Sequence, residues 1–345
     1  MHRFPVKIWI FRELDYIESE VDMNPDKETF GWGLIGPGRF AREFAEELGT
    51  VDRARLVAVA SRDGKKSAAF AGEFGFERSY GNYGELFADE EVDVVYIVVP
   101  HVFHRGLAEE ALSSGKAVLC EKPLTPSFEE TDALLQFASG KKRFLMEAMK
   151  TGFLPAVRKA KQWIADGRIG EPRLLQADCC FQGPTDPEDR LMNPELAGGA
   201  VLDVGIYPLY LARFLLGEAT AISAVGTLAE TGVEDSVSMI SKHGSGASAA
   251  MTCSFRAEEA MDAVVRGTEG EIRLPKFHAG VRTELRRDGE ILEVFEDDSG
   301  GMVKAEIEAV TDALAAGLNE CPGHSHEDSR ALSKMMEEVR SQILP

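Results

Sequence analysis

Basic residues are scarce. Lys and Arg total 38 against 58 Asp and Glu, so the 345-residue chain carries a formal charge of −20. A surface of that sign repels phosphate backbones and excludes nucleic acid as a general partner. An anionic cofactor would need a local nest of N–H groups and cations. Long apolar runs are also missing: no segment reaches about 18 uninterrupted apolar residues, which argues against membrane insertion. Cysteine is sparse and unpatterned. Cys120, Cys179, Cys180, Cys253 and Cys321 are odd in number, contain no CxxC and include one adjacent pair. Neither a disulfide framework nor a zinc site is expected, but reduced, buried thiols in a cytoplasmic protein. GxSxG and HExxH do not occur, so those hydrolase routes drop out.

What remains is an ordinary globular composition, 44% hydrophobic and 28% charged, at a length that fits two domains. Residues 1–28 lack the apolar core and cleavage site of a secretory signal. They read as an extension, helical in part over 11–21, most of which initiation at Met23 would remove.

From Thr29 the pattern changes. Apolar runs at 29–35, 55–60, 93–99, 117–120 and 143–148 alternate with helical stretches at 39–48, 65–74, 103–114 and 127–138. Near-continuous apolar strands alternating with helices predict a doubly wound parallel sheet over residues 29–150, covered on both faces. Beyond Phe153 the rhythm shifts. A helix at 155–166, a strand at 172–181 and a helix at 203–215 precede short alternating runs from 219 to 295 joined by turns. Strands without intervening helices predict an α+β domain over 151–345 with an open, largely antiparallel sheet. Helices at 302–317 and 326–341 close the chain.

Gly36-x-Gly38-x-x-Ala41 follows the first strand and opens a helix. Gly36 permits the tight turn, Gly38 the close approach of backbone to a pyrophosphate, and Ala41 tight helix–sheet packing. A dinucleotide site is expected there, lined also by Arg39 and Phe40. The second strand ends in Ser61-Arg62-Asp63, where an NAD site usually carries a carboxylate. Ser61 stands at that position and Arg62 suits a 2′-phosphate, so NADP is favoured. NAD is the alternative, with Asp63 as the ribose carboxylate. Pro100, His101 and His104 follow the strand ending at Val99, and Glu121-Lys122-Pro123 follows the next, both at the sheet's carboxyl edge. A cis Lys122–Pro123 bond would aim the lysine inward. Asp203 and Tyr207 sit one helical turn apart, and a lysine near such a pair lowers the phenol's pKa for proton transfer. Cys321, His324, His326, Glu327 and Asp328 suggest a metal site only superficially; a helix start with Ser325 or His326 at its cap accounts for them, and no metal is expected.

GLIGPGRFA, the Ser-Arg pair, PHVFH, EKP, MEAM…FLP, AGGAVLDVGIYPLYLA and RGTEGEIRLP occur in an order that resembles the Gfo/Idh/MocA oxidoreductase family over about residues 29–345. The Asp-x-x-x-Tyr form is most similar to its dihydrodiol dehydrogenase-like branch. The resemblance implies a Rossmann domain and then an α/β domain whose open sheet face forms a dimer interface. It also implies hydride exchange between nicotinamide and a carbinol carbon of a sugar, polyol or diol. Lys122 would orient the substrate hydroxyl, Tyr207 act as acid/base and Asp203 orient substrate. Gly36, Gly38, Arg39, Phe40, Ser61, Arg62, Pro100, His104 and Glu121 match cofactor-lining positions. Where the branch reads MWTRFLP, this chain has Lys150 and Gly152, which weighs against an aromatic diol. Lys150 either meets a more acidic or polar substrate or points to solvent; Phe181 is the other pocket residue expected. A cofactor-binding sensor on the same scaffold and an NAD-assisted glycoside-cleaving enzyme are the competing readings.

Overall fold

The computed structural model describes residue 27 and residues 29–258, 260–298 and 301–344. The helix expected over 11–21 lies outside them. Six parallel strands form the first sheet: β1 (Phe30–Ile35), β2 (Ala54–Ala60), β3 (Arg78–Tyr80), β4 (Val94–Ile97), β5 (Ala117–Glu121) and β6 (Leu145–Ala148), in the order β3-β2-β1-β4-β5-β6. The order reverses between β1 and β4, which opens a crevice at their carboxyl ends. Helices α1 (Arg39–Leu48), α2 (Gly64–Phe74), α3 (Tyr83–Ala88), α4 (His104–Ser113) and α5 (Phe128–Lys141) connect the strands. The apolar periodicity of α1 buries Ala41, Phe44, Ala45 and Leu48 on one face, and Phe44 stacks on Tyr96 of β4 at 3.6 Å between ring centroids. Strand β3 and helix α3 had no counterpart in the hydropathy pattern. Three and six residues long, they are too short to show a period.

After α6 (Pro155–Ala165) comes an eight-stranded sheet of β7 (Pro172–Cys180), β8 (Ala219–Leu228), β9 (Glu234–His243), β10 (Ser248–Ser254), β11 (Ala263–Gly267), β12 (Glu271–Leu274), β13 (Arg282–Arg287) and β14 (Glu290–Glu296). Its order is β14-β13-β12-β11-β7-β10-β9-β8, and only the β7–β10 pair is parallel. One face carries α7 (Ile206–Leu216) and α6 over a core that includes Trp163, Leu175, Leu209, Met251 and Val265. The stretch Pro194–Leu216 is long and apolar enough to cross a membrane by length and composition, though charged residues interrupt its apolar run. It is 89% buried against this sheet and carries Asp203 and Arg213, as a core helix does.

Helices α8 (Lys304–Ala315) and α9 (His326–Ser341) return to the first sheet. Ser325 caps α9 in a reciprocal capping box with Asp328, in keeping with the helix-start reading of this tail. No group of three or more potential metal ligands occurs among the described residues. Helix α8 lacks a side-chain cap of its own. Its start is satisfied by Glu47 of α1, whose carboxylate accepts from Met302, Val303 and Lys304 N–H at 2.8, 2.8 and 2.6 Å. Those donors would otherwise be orphaned at the positive end of the helix. Glu47→Ala should therefore cost about 1–2 kcal/mol of stability, read as a lower urea midpoint at unchanged m-value.

Candidate active site

The first turn after β1 is shaped by Gly36, whose φ of 94° suits glycine and where a Cβ would collide with the Val98 carbonyl. Gly38 is the N-cap of α1 and brings no capping side chain to the helix start. Open N–H groups at a helix N-terminus are what a pyrophosphate needs. Beyond β2, Asp63 is already committed: its side chain caps α2 through the N–H groups of Lys65 and Lys66. Arg62 is exposed, with its guanidinium 5.8 Å from the centre of the half-exposed Phe103 ring. An aromatic floor and a free guanidinium fit an adenine carrying a 2′-phosphate.

The Glu121-Lys122-Pro123 turn is braced on three sides. Glu121 accepts from the Tyr96 phenol at 2.5 Å and from Lys122 N–H at 3.2 Å. Glu147 of β6 accepts from Leu124 N–H at 2.8 Å. His104 is fully buried, its ring nitrogens 3.0 Å from the Pro123 carbonyl and 2.8 Å from that of Val99. It thus ties the two strand-end turns together. The Lys122–Pro123 bond is cis.

The lysine reaches across to the second unit. Its Nζ donates to the Asp203 carbonyl at 2.5 Å, stands 3.6 Å from Asp203 Oδ1 and lies 4.8 Å from the centre of the Tyr207 ring. Asp203 does not lie on a regular α-helix: Val201–Gly205 form a π turn before α7. The preceding glycines allow that entry, since a Cβ on Gly199, at φ 123°, would come within 2.6 Å of the buried Glu234 carboxylate. Three residues predicted from distant stretches of chain are thereby brought together. Asp203 and Tyr207 are 8% and 9% exposed.

Their electrostatics differ. Burial pushes the Tyr207 phenol up to about 12, partly countered by the Lys122 charge. Burial works against the charged forms of Asp203 and Lys122 too. Even so, Lys122 and Arg190 hold the Asp203 carboxyl below its usual range, and Tyr207 and Asp203 hold the Lys122 ammonium above its own. His101 is buried 3.3 Å from the Ala197 carbonyl, and burial, then the neighbouring His104, pulls it down to about 3.

The other expected residues fall around this cluster. Arg39 and Phe40 stand at the first turn of α1, Ser61 accepts from Asp63 N–H at 3.2 Å, and Pro100 leads into the turn that carries His101. Phe181 packs edge-on against Phe255 at 5.2 Å. Lys150 does not point to solvent: it is 7% exposed, with its Nζ 5.0 Å from the Phe40 ring centre. The space an arginine would need at Gly152 is filled by the Tyr210 phenol. Two residues escaped the sequence reading. Arg190, from the 181–193 loop, places Nη2 3.2 Å from Asp203 Oδ1. His278, between β12 and β13, lies 5.6 Å from Tyr207 by ring centroids. Both sit in irregular segments, where spacing carries no signal.

A glycine turn at the switch point of a parallel sheet, with a lysine tied to the acid and phenol of a second unit, defines a dinucleotide-dependent oxidoreductase. Residues 30–149 match the model of an oxidoreductase family with an NAD-binding Rossmann fold, and residues 157–273 match the GFO/IDH/MocA C-terminal domain. The chain belongs to the Gfo/Idh/MocA oxidoreductase family. It is 34% identical over 324 residues to trans-1,2-dihydrobenzene-1,2-diol dehydrogenase of Mus musculus, covering 90% of this chain and 96% of that protein. Among solved structures, a 3-ketoreductase from Actinomadura kijaniata in complex with NADP and TDP-benzene is similar at TM-score 0.82 and 25% identity, over 92% and 98% of the two chains. Aldose-aldose oxidoreductase from Caulobacter crescentus, complexed with glycerol, shares the fold at TM-score 0.83 and 24% identity, over 91% and 97%.

The neutral, buried His101 carries a pH consequence. Its unfolded-state pKa lies near 6.5 and its folded one near 3, so the folded chain binds fewer protons in between. The contribution is fully present above pH 6.5 and drains as pH falls toward 3, by at most about 1.4 kcal/mol per pH unit. Urea midpoints should drop between pH 7 and 5, and the drop should be smaller in His101→Gln.

Proposed function

We propose that the chain oxidises or reduces a carbinol carbon of a sugar, polyol or diol-like substrate, with NADP preferred over NAD. The convergence of Lys122, Asp203 and Tyr207 beside the dinucleotide turn carries this reading. Residues 29–150 form the dinucleotide unit and 151–345 the substrate and dimerisation unit. The bound nicotinamide supplies or accepts the hydride. The protein's part is to fix the substrate oxygen and give its proton a path.

Lys122, its ammonium anchored on the Asp203 carbonyl, turns a remaining N–H toward the substrate hydroxyl. Asp203, kept ionised by Lys122 and Arg190, accepts from a neighbouring hydroxyl and orients the ring or chain. Tyr207 is protonated at neutral pH and donates to the substrate oxygen during reduction. In oxidation the phenolate, stabilised by Lys122, takes that proton back. A sensor would have no use for this proton path, and its presence favours an enzyme.

Five free, buried cysteines fit a reducing cytoplasm. The uncovered face of the large sheet exposes Val225 and Ile240 at 72% and 63%, on adjacent strands and the same side. A homodimer built on that face would cover them. Sedimentation should give twice the monomer mass, and Ile240→Asp should return the monomer.

Lys122→Met should lower turnover about 100-fold while NADPH still quenches intrinsic fluorescence; unchanged turnover removes the lysine from the mechanism. In the oxidative direction the rate should rise tenfold per pH unit up to at least pH 9, because the phenolate fraction does, and Tyr207→Phe should abolish that slope. Arg62→Ala should erode the NADPH-over-NADH preference measured by equilibrium titration. An unchanged preference places the 2′-phosphate elsewhere.

A further inference from the structure

Lys150 is the one ammonium of the pocket that the proton path does not use. Its Nζ donates to Met302 Sδ at 3.6 Å and lies over the Phe40 ring, the aromatic side chain of the dinucleotide turn. Among the described residues no carboxylate forms an ion pair with it. Glu121 accepts from the Tyr96 phenol and Lys122 N–H and acts on Lys150 only through space. Glu306 is 1% exposed, and its burial pushes the carboxyl toward the neutral acid. Burial draws the Lys150 pKa down, against the through-space pull of Glu121; a buried cation with no carboxylate in direct contact is costly to the fold and invites an anion.

His278 stands beside Tyr207, near enough to Lys150 and Lys122 for both charges to act on it. Its Nδ1 is buried with no hydrogen-bond partner. Burial, reinforced by the charges of Lys150 and Lys122, draws its pKa down to about 4, so the ring is neutral and can offer one donor or one acceptor. An orphaned buried polar atom is unusual in a folded protein and points to a ligand that completes it. Asp203 is already shared between Lys122 and Arg190, which leaves one ammonium with no direct ion pair and one imidazole nitrogen with no hydrogen bond.

We propose that the substrate is a polyhydroxylated carboxylic acid, whose carboxylate pairs with Lys150 and is oriented by His278 while its carbinol faces Lys122 and Tyr207. This deepens the oxidoreductase reading and rests on it. A single carboxylate matches the single free ammonium, where a neutral polyol would leave the lysine unpaired. The acidic exterior of the molecule would slow such a substrate's approach and the pocket would hold it.

Gluconate and glucitol share a carbon skeleton and differ at one end in a carboxylate against a hydroxymethyl group. Calorimetric titration of the NADP⁺-loaded full chain should show gluconate at least tenfold tighter than glucitol, with the ratio shrinking as salt is added. Lys150→Met should bring the ratio toward one, Lys150→Arg should keep most of it, and His278→Phe should reduce it. Equal affinities in the unaltered protein, or a ratio that survives Lys150→Met, overturn the proposal. So does a parallel loss of NADP⁺ affinity in Lys150→Met, which would give the amine to a cofactor phosphate. A protein that oxidises neutral polyols and ignores gluconate keeps its oxidoreductase assignment and loses only this one. Failure of the unaltered chain to bind NADP⁺ would remove both.

Discussion

The architecture turns on one contact, the Lys122 ammonium against Asp203. It is the place where the carboxyl edge of the small sheet meets the helix that covers the large one. Such a pair is not free: taking an ammonium and a carboxylate out of water costs several kcal/mol per ion before their attraction offsets it. The protein meets that cost with geometry. The lysine donates to a main-chain carbonyl as well as facing the carboxylate, and Arg190 adds a second cation at the same carboxylate oxygen. Glu147 and His104 hold the turn beneath the lysine so that little remains to be ordered when substrate arrives.

The same pair sets the electrostatics around the Tyr207 phenol. Deep burial pushes that phenol up to about 12 even with the ammonium beside it. The ammonium 4.8 Å from the ring favours the phenolate, and the Asp203 charge disfavours it.

Apart from β3 and α3, the alternation of apolar strands and amphipathic helices was legible from Phe30 to Ala148 because the central strands are covered on both faces, so their apolar runs are nearly unbroken. The turn chemistry of Gly36 and Gly38 was legible for a related reason: backbone close to a ligand excludes side chains. Lys122, Asp203 and Tyr207 were recognisable only through the order of motifs, since nothing in local spacing says that positions 122 and 203 touch. Arg190 and His278 carried no signal. Each lies in a loop whose shape is decided by tertiary partners, the Gly198–Gly199 hinge for one and the strand ends of β12 and β13 for the other. Lys150 was visible as a departure, but its direction was not, because a lysine after a strand is exposed by default and its cover, Phe40 and Met302, comes from distant stretches of chain.

The return of α8 to the first sheet has a bearing on how the molecule is made. Glu47 emerges early, and the N–H groups it serves are 255 to 257 positions later in the chain. Contacts of such wide separation form slowly and late. During synthesis the dinucleotide unit must wait with the α1 surface bare until nearly the whole polypeptide has left the ribosome. The cover over Lys150 arrives with the same segment, so the pocket is closed only late in synthesis.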